Sequence, residues 1–256
     1  MNRIPDTFEQ LKHHGRKALI GYLTAGDPDL AKSEENVRAA LKEGLHVLEL
    51  GVPFSDPTAD GPTIQAASQR ALAAGVTVRQ ILDLVARLRR DFSQPVVLFG
   101  YANPFFSYGY EKLCADAKAA GVDGLLVVDL PFEEQDELRP HAEKNDLCLI
   151  PLIAPTTSRD RAGQILKDAK GFVYYIMVKG VTGARDKLAE DVPERMEDLR
   201  RCTELPIAVG FGVSTGPQAR EAAALADAVV VGSALVEAAH EGRLPALVRE
   251  ISAALR

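Results

Sequence analysis

Three carboxylates lie close together in the stretch Leu48-Glu49-Leu50-Gly51-Val52-Pro53-Phe54-Ser55-Asp56-Pro57-Thr58-Ala59-Asp60-Gly61-Pro62-Thr63-Ile64-Gln65, and their settings differ. Over His46 to Gly51 a period-two alternation puts Leu48 and Leu50 on one face and Val47, Glu49 and Gly51 on the other. A lone charge in an apolar strand is costly to bury, so if that second face is internal, Glu49 is paired, protonated or working. Pro53, Pro57, Gly61 and Pro62 stiffen the loop from which Asp56 and Asp60 project, and Pro62 suits a first helical position. A carboxyl flanked by apolar groups has its neutral form favoured, which moves it toward working pH, where one group can both give and take protons. Asp60, on a more solvated loop, is expected to stay ionised, and two carboxylates in unlike environments can then divide acid and base roles.

Three glycine clusters suggest a second kind of chemistry: Gly180-Val181-Thr182-Gly183, Gly210-Phe211-Gly212-Val213-Ser214 and Gly232-Ser233-Ala234. Glycines let the backbone approach a ligand closely, and Gly232-Ser233 precedes a helix expected to begin near Ala234, where free N–H groups and the helix dipole favour an anion. Phosphate is the anion these features suit. Tyr22, Phe99, Tyr101, Tyr174 and Phe211 are expected near the same place and could enclose a flat apolar group, making an aromatic phosphate ester plausible. Lys179 reads as a solvated loop lysine, not a phosphate ligand.

The elements that must position these groups are eight short apolar runs: Ala18 to Leu23, His46 to Gly51, Pro95 to Gly100, Gly124 to Asp129, Leu147 to Ile153, Gly171 to Val178, Pro206 to Gly210 and Ala226 to Val231. Segments with helical spacing separate them, such as Val37, Ala40, Leu41 and Leu45, or Ile81, Leu82, Val85 and Leu88. One run per 32 residues of the 256 matches a repeated βα unit. Continuous aliphatic runs such as Ala228-Val229-Val230-Val231 suit parallel strands covered on both faces. The expectation is an α/β chain forming a single (β/α)8 TIM barrel domain over residues 1–256. An extra N-terminal helix is expected near Thr7 to His14, with insertions after strands 2 and 6. A doubly wound sheet would normally stop near five or six strands. In the barrel, strand ends carry function, and the loops after strands 7 and 8 frequently bind phosphate. Glu49 and Asp60 then sit on the other side of the mouth, beside the reacting part of the substrate.

A net charge of -6 gives no global attraction for nucleic acid or an anionic membrane. Cys114, Cys148 and Cys202 are odd in number and lack metal-site spacing, so no metal is expected, and Cys148 reads as a small buried hydrophobe in a reducing compartment. No signal peptide or membrane-spanning run is visible, and a cytoplasmic protein is expected.

Leu48 to Gln65 resembles the signature of the tryptophan synthase alpha subunit family. The likeness continues, in family order, through Thr24-Ala25-Gly26-Asp27-Pro28, Tyr101-Ala102-Asn103-Pro104, Asp129-Leu130-Pro131-Phe132-Glu133-Glu134 and the three glycine clusters. The resemblance implies a (β/α)8 lyase that cleaves indole-3-glycerol phosphate to indole and glyceraldehyde 3-phosphate without a metal or cofactor of its own. It implies that Glu49 gives and takes the proton, that Asp60 holds the indole N–H, and that Tyr174 lines the site beside Glu49. Thr182 would help to close the site over substrate, whereas Tyr22, Phe99, Tyr101 and Phe211 are candidate substrate contacts from their expected position at the mouth alone. Gly183, Gly212, Gly232 and Ser233 would bind phosphate. It further implies a pyridoxal-phosphate beta subunit in an αββα complex, with Asp56, Asn103, Pro131, Glu133 and Glu134 facing that partner. One departure is Met177, where some members of the family carry serine. Competing readings are a stand-alone indole-3-glycerol phosphate lyase, a non-catalytic regulatory subunit that binds phosphate, and another phosphate-binding barrel. A Schiff-base aldolase would want a lysine within a strand, which these runs lack.

Overall fold

The computed structural model describes residues 2–176, 192–210 and 212–256. Among the described residues, nine strand segments run parallel: β1 (Ala18–Thr24), β2 (Val47–Gly51), β3 (Val96–Gly100), β4 (Gly124–Val127), β5 (Cys148–Leu149), β6 (Leu152–Ile153), β7 (Val173–Ile176), β8 (Ile207–Gly210) and β9 (Ala228–Val231). Their order is β5-β4-β3-β2-β1-β9-β8-β7-β6. The two ends of that order are consecutive pieces of one chain segment, so the sheet closes on itself as an eight-stranded barrel. The Ile150 N–H donates to Leu125 O at 2.9 Å on one side, and Pro151 O accepts from the Tyr174 N–H at 2.9 Å on the other. Pro151 has no N–H to give, which splits the expected Leu147 to Ile153 strand into β5 and β6. The expected fourth strand ends at Val127, before Asp129.

The alternation in β2 is as expected. Leu48 and Leu50 join the layer between strands and helices. Val47 belongs to a separate cluster inside the barrel with Ile20, Val97, Leu126, Ile150, Phe172 and Val230. The helical stripes turn their apolar sides to the outer layer: Val37, Ala40 and Leu41 on Leu30–Lys42, and Ile81, Leu82, Leu84, Val85 and Leu88 on Val78–Leu88. Thr77 and Gln80 form a capping box that starts the second of these helices. Each fully buried aliphatic side chain contributes about 1.5–3 kcal/mol of transfer free energy.

The extra N-terminal helix runs Arg3–His13, starting earlier than expected because the Asn2 side chain accepts from the Ile4 N–H. Ile4, Phe8 and Leu11 project into the barrel interior at the end away from the strand C-termini, with the Phe8 and Phe172 ring centroids 5.7 Å apart. This helix is a plug. Its anchor is Asp123, 1% exposed, whose Oδ1 accepts from the Arg3 N–H at 3.1 Å and Arg3 Nη1 at 3.0 Å. Its Oδ2 accepts from Arg89 Nη2 at 2.8 Å and the Val96 N–H at 3.0 Å. Burial pushes the Arg89 guanidinium down to about 10. Asp123→Ala strands a buried cation and two backbone donors, so we expect a loss of about 3–5 kcal/mol in urea unfolding. A loss below about 1 kcal/mol would show the network to be dispensable.

Among the described residues, no helix is long and apolar enough to cross a membrane.

Candidate active site

β1 and β2 pair so that Tyr22 lies opposite Glu49, and β2 pairs with β3 so that Glu49 lies opposite Val97. Glu49 is wholly buried, and neither of its carboxyl oxygens has a hydrogen-bond partner. Burial alone pushes this carboxyl up to about 8. At neutral pH it is therefore a neutral acid, a proton donor held in an apolar site. Tyr22 is 5% exposed and meets Phe99 edge to face at 5.1 Å between centroids. Thr24 Oγ1 donates to Tyr22 Oη at 3.3 Å. From the far side of the barrel Tyr174 folds onto β8, where a Cβ on Gly210 would come within 2.6 Å of its hydroxyl oxygen. Burial raises both phenols above their ordinary range, Glu49 and Asp60 adding to the effect, so each stays protonated.

Asp60 is fixed by its own loop. Its N–H donates to Pro57 O at 3.1 Å, its carbonyl accepts from Gln65 Nε2 at 2.8 Å, and Pro62 occupies the first turn of helix Pro62–Ala73, as expected. Tyr101 Oη donates to Asp60 Oδ2 at 3.0 Å while accepting from the Ala59 N–H at 3.0 Å. The Asp60 side chain is half-buried, more solvated than the wholly buried Glu49. Burial raises its carboxyl and the Tyr101 hydrogen bond offsets part of that rise. Tyr101, expected to contact substrate, has its hydroxyl committed to holding Asp60 and packs against Phe54 at 5.2 Å. Sequence reasoning missed this bond, and it also missed the tether behind the loop. There Arg70 donates to both carboxylate oxygens of Asp27, at 2.6 and 2.8 Å, tying helix Pro62–Ala73 to the end of β1.

The glycine clusters after β8 and β9 stand at the strand C-termini. Gly212 has φ +59, in the left-handed region. Gly232 is the N-cap of helix Ser233–His240, and no side chain caps it, which leaves N–H groups of the first turn for an anion. Ser233 is exposed at that point. Thr182, Gly183, Phe211, Met177 and Lys179 lie outside the described residues.

The residues expected to face a partner, Asp56, Asn103, Pro131, Glu133 and Glu134, are all exposed. Glu133 makes a bidentate ion pair with Arg161, whose guanidinium holds its carboxyl down near 2. Beside Asn103, Phe106 is 63% exposed, a large apolar side chain that the sequence reading did not single out. The Phe105-Phe106 pair was the available signal, because Phe105 is wholly buried and its neighbour on so short a helix faces outward.

The site thus offers a neutral buried acid, a second carboxylate fixed by a phenol, an aromatic enclosure and anion-seeking glycines after β8 and β9, where a Cβ on Gly232 would come within 3.8 Å of Tyr22. Among the described residues, no group of three or more His, Cys, Asp or Glu side chains is placed to hold a metal ion. The family model described as Tryptophan synthase alpha chain matches residues 8–253. A tryptophan synthase alpha chain from Geobacter sp. (strain M21) is 53% identical over 237 residues, covering 93% of this chain and 89% of that one. Its counterpart from Geobacter sulfurreducens is 49% identical, covering 98% and 96%. A crystal structure of tryptophan synthase from M. tuberculosis in an aminoacrylate-bound form superposes with a TM-score of 0.91 at 35% identity, covering 100% of both chains.

Proposed function

Because the chain belongs to the tryptophan synthase alpha chain family, whose reaction is cleavage of indole-3-glycerol phosphate in tryptophan biosynthesis, we propose that Glu49 and Asp60 carry that reaction here. The chain is a carbon–carbon lyase that releases indole and glyceraldehyde 3-phosphate in a retro-aldol type step. The alpha chain itself uses no cofactor, and its family implies a beta-subunit partner.

Neutral Glu49 gives its proton to indole C3, and the positive charge that develops on the ring nitrogen is met by the Asp60 carboxylate, which holds the indole N–H. Glu49, now a carboxylate, takes the proton of the side-chain hydroxyl. The bond from C3 to the side chain breaks, its electron pair returns to the ring, and the released fragment becomes an aldehyde. Glu49 ends as it began, and no water is consumed. Tyr22, Phe99 and Tyr174 enclose the ring. Gly212, Gly232 and Ser233 hold the phosphate, with Gly183, Thr182 and Phe211 completing the site. The observation that carries this reading is the buried Glu49 carboxyl, unpaired at both oxygens and pushed up to about 8 by burial.

The beta partner, with pyridoxal phosphate, would cover Asp56, Asn103, Pro131, Glu133 and Glu134 in an αββα complex; the exposed Phe106 beside Asn103 favours a covered face. One domain spanning 1–256 and a cytoplasmic location belong to the same proposal, the latter consistent with the free cysteines Cys114, Cys148 and Cys202. The test is indole release from indole-3-glycerol phosphate by the pure chain, alone and with added beta subunit. Slow release alone and faster release with the partner is expected. No release in either condition overturns the proposal, and equal rates remove the partner's role.

A further inference from the structure

Gly51 occupies the mouth end of β2, two residues beyond Glu49 on the same inward face. Tyr22, opposite Glu49 on β1, turns its ring toward the mouth, and the ring tip fills the space a side chain at residue 51 would need. A Cβ on Gly51 would lie 2.2 Å from Tyr22 Oη, 2.5 Å from Cζ and 2.7 Å from Cε2. No real Cβ tolerates such contacts, and the ring cannot easily withdraw, because Phe99 meets it edge to face at 5.1 Å. Thr24, two residues along β1, donates its hydroxyl to Tyr22 Oη at 3.3 Å and fixes the tip from the third side. The same construction recurs across the barrel, where Tyr174 on β7 lies over Gly210 on β8. In each case a tyrosine crosses to the next strand and rests on a glycine two residues beyond its register partner.

We propose that Gly51 and Thr24 are positioning residues for the cleavage reaction, acting through Tyr22. Gly51 is the socket and Thr24 the latch that hold the Tyr22 phenol across the mouth end of β2, as the wall that presses the indole ring toward Glu49. Neither residue touches the reacting atoms. With a side chain at residue 51 the phenol swings into the space the indole needs, and C3 no longer meets the Glu49 proton.

The proposal rests on Glu49 as proton donor, and the two fail separately: if Glu49→Gln keeps its turnover, that assignment falls whatever Gly51→Ala does. The experiment measures kcat and KM for indole release by the full chain, with and without beta subunit, for Gly51→Ala, Tyr22→Leu and the double variant, alongside thermal unfolding. Gly51→Ala is expected to fold and to lose at least about tenfold in kcat/KM, mostly in kcat, since misplacement by about 1 Å is enough for such losses. Tyr22→Leu, whose side chain stops short of residue 51, is expected to restore at least about threefold of that loss in the double variant. A Gly51→Ala enzyme within about twofold of the parent, or a double variant no better than the single one, overturns the proposal. If Gly51→Ala fails to fold, Thr24→Val and Tyr22→Phe decide. Both act on one hydrogen bond, so their combination is expected to cost no more than the larger single loss, and additive losses overturn the latch.

Discussion

Glu49→Gln is expected to stop indole release while substrate still binds. Turnover should fall by at least about 1000-fold, and equilibrium affinity for indole-3-glycerol phosphate should change by less than about threefold. The amide keeps the size of the carboxyl and its place on β2, where Leu48 and Leu50 on the other face anchor the strand in the outer layer. What it loses is the proton. A single general acid or base contributes about 100- to 10,000-fold, and here one group serves both as donor to C3 and as acceptor from the hydroxyl, so the loss belongs at the upper end. Asp60→Asn should be milder, about 100-fold, because the amide still occupies the place beside the indole N–H but no longer offers a full charge to the ring cation. Tyr101 donates to Asp60 Oδ2 at 3.0 Å and keeps the replaced side chain in place. Single-turnover indole release, paired with calorimetric binding of substrate to the inert Glu49→Gln protein, separates chemistry from binding. Turnover within about tenfold of the parent would remove Glu49 from the mechanism.

The parts of this site that were legible in the sequence are those set by local periodicity. Alternation in His46 to Gly51 was enough to put Glu49 on the inward face, because a strand has only two faces and Leu48 and Leu50 claim one of them. Repetition of βα units specified the barrel, and the barrel's polarity then assigned the glycines after β8 and β9 to the same end as Asp60. Contacts between residues far apart in the chain were not legible. Tyr101 reaches Asp60 across 41 positions, and Arg3 and Arg89 reach Asp123 across 120 and 34. Nothing in the local pattern distinguishes an arginine that closes a buried network from one in water. The degree of Asp60 burial was not legible for the same reason: a loop rich in proline and acid reads as more solvated than an apolar strand, and by how much depends on Tyr101 lying over it. Pro151 was a visible signal of the break between β5 and β6, overridden by the apolar run around it.

The same carboxyl that drives the chemistry is expected to weaken the fold as pH rises. Burial lifts Glu49 from 4.5 to about 8, so the folded state holds the proton more tightly than the unfolded chain does. A group raised in this way adds its full stability below the unfolded value, and that stability drains as pH climbs through the window up to the folded value. Within the window the slope is about 1.4 kcal/mol per pH unit, so roughly 3–4 kcal/mol is lost between pH 5 and pH 9. Glutamine cannot ionise and has no such slope. The difference in unfolding free energy between Glu49→Gln and the parent should therefore move in the variant's favour by roughly that amount over the interval, on the order of 10 °C in Tm for a chain of this size. Every other titrating group is shared by the two proteins and cancels in the difference. Urea unfolding of both at pH 5, 7 and 9 measures it, and a difference that stays flat within about 0.5 kcal/mol would mean the carboxyl is hydrated in the free enzyme. Catalysis and stability thus make opposite demands on one side chain: the apolar enclosure that keeps Glu49 protonated for C3 is also what makes its ionised form costly to keep folded.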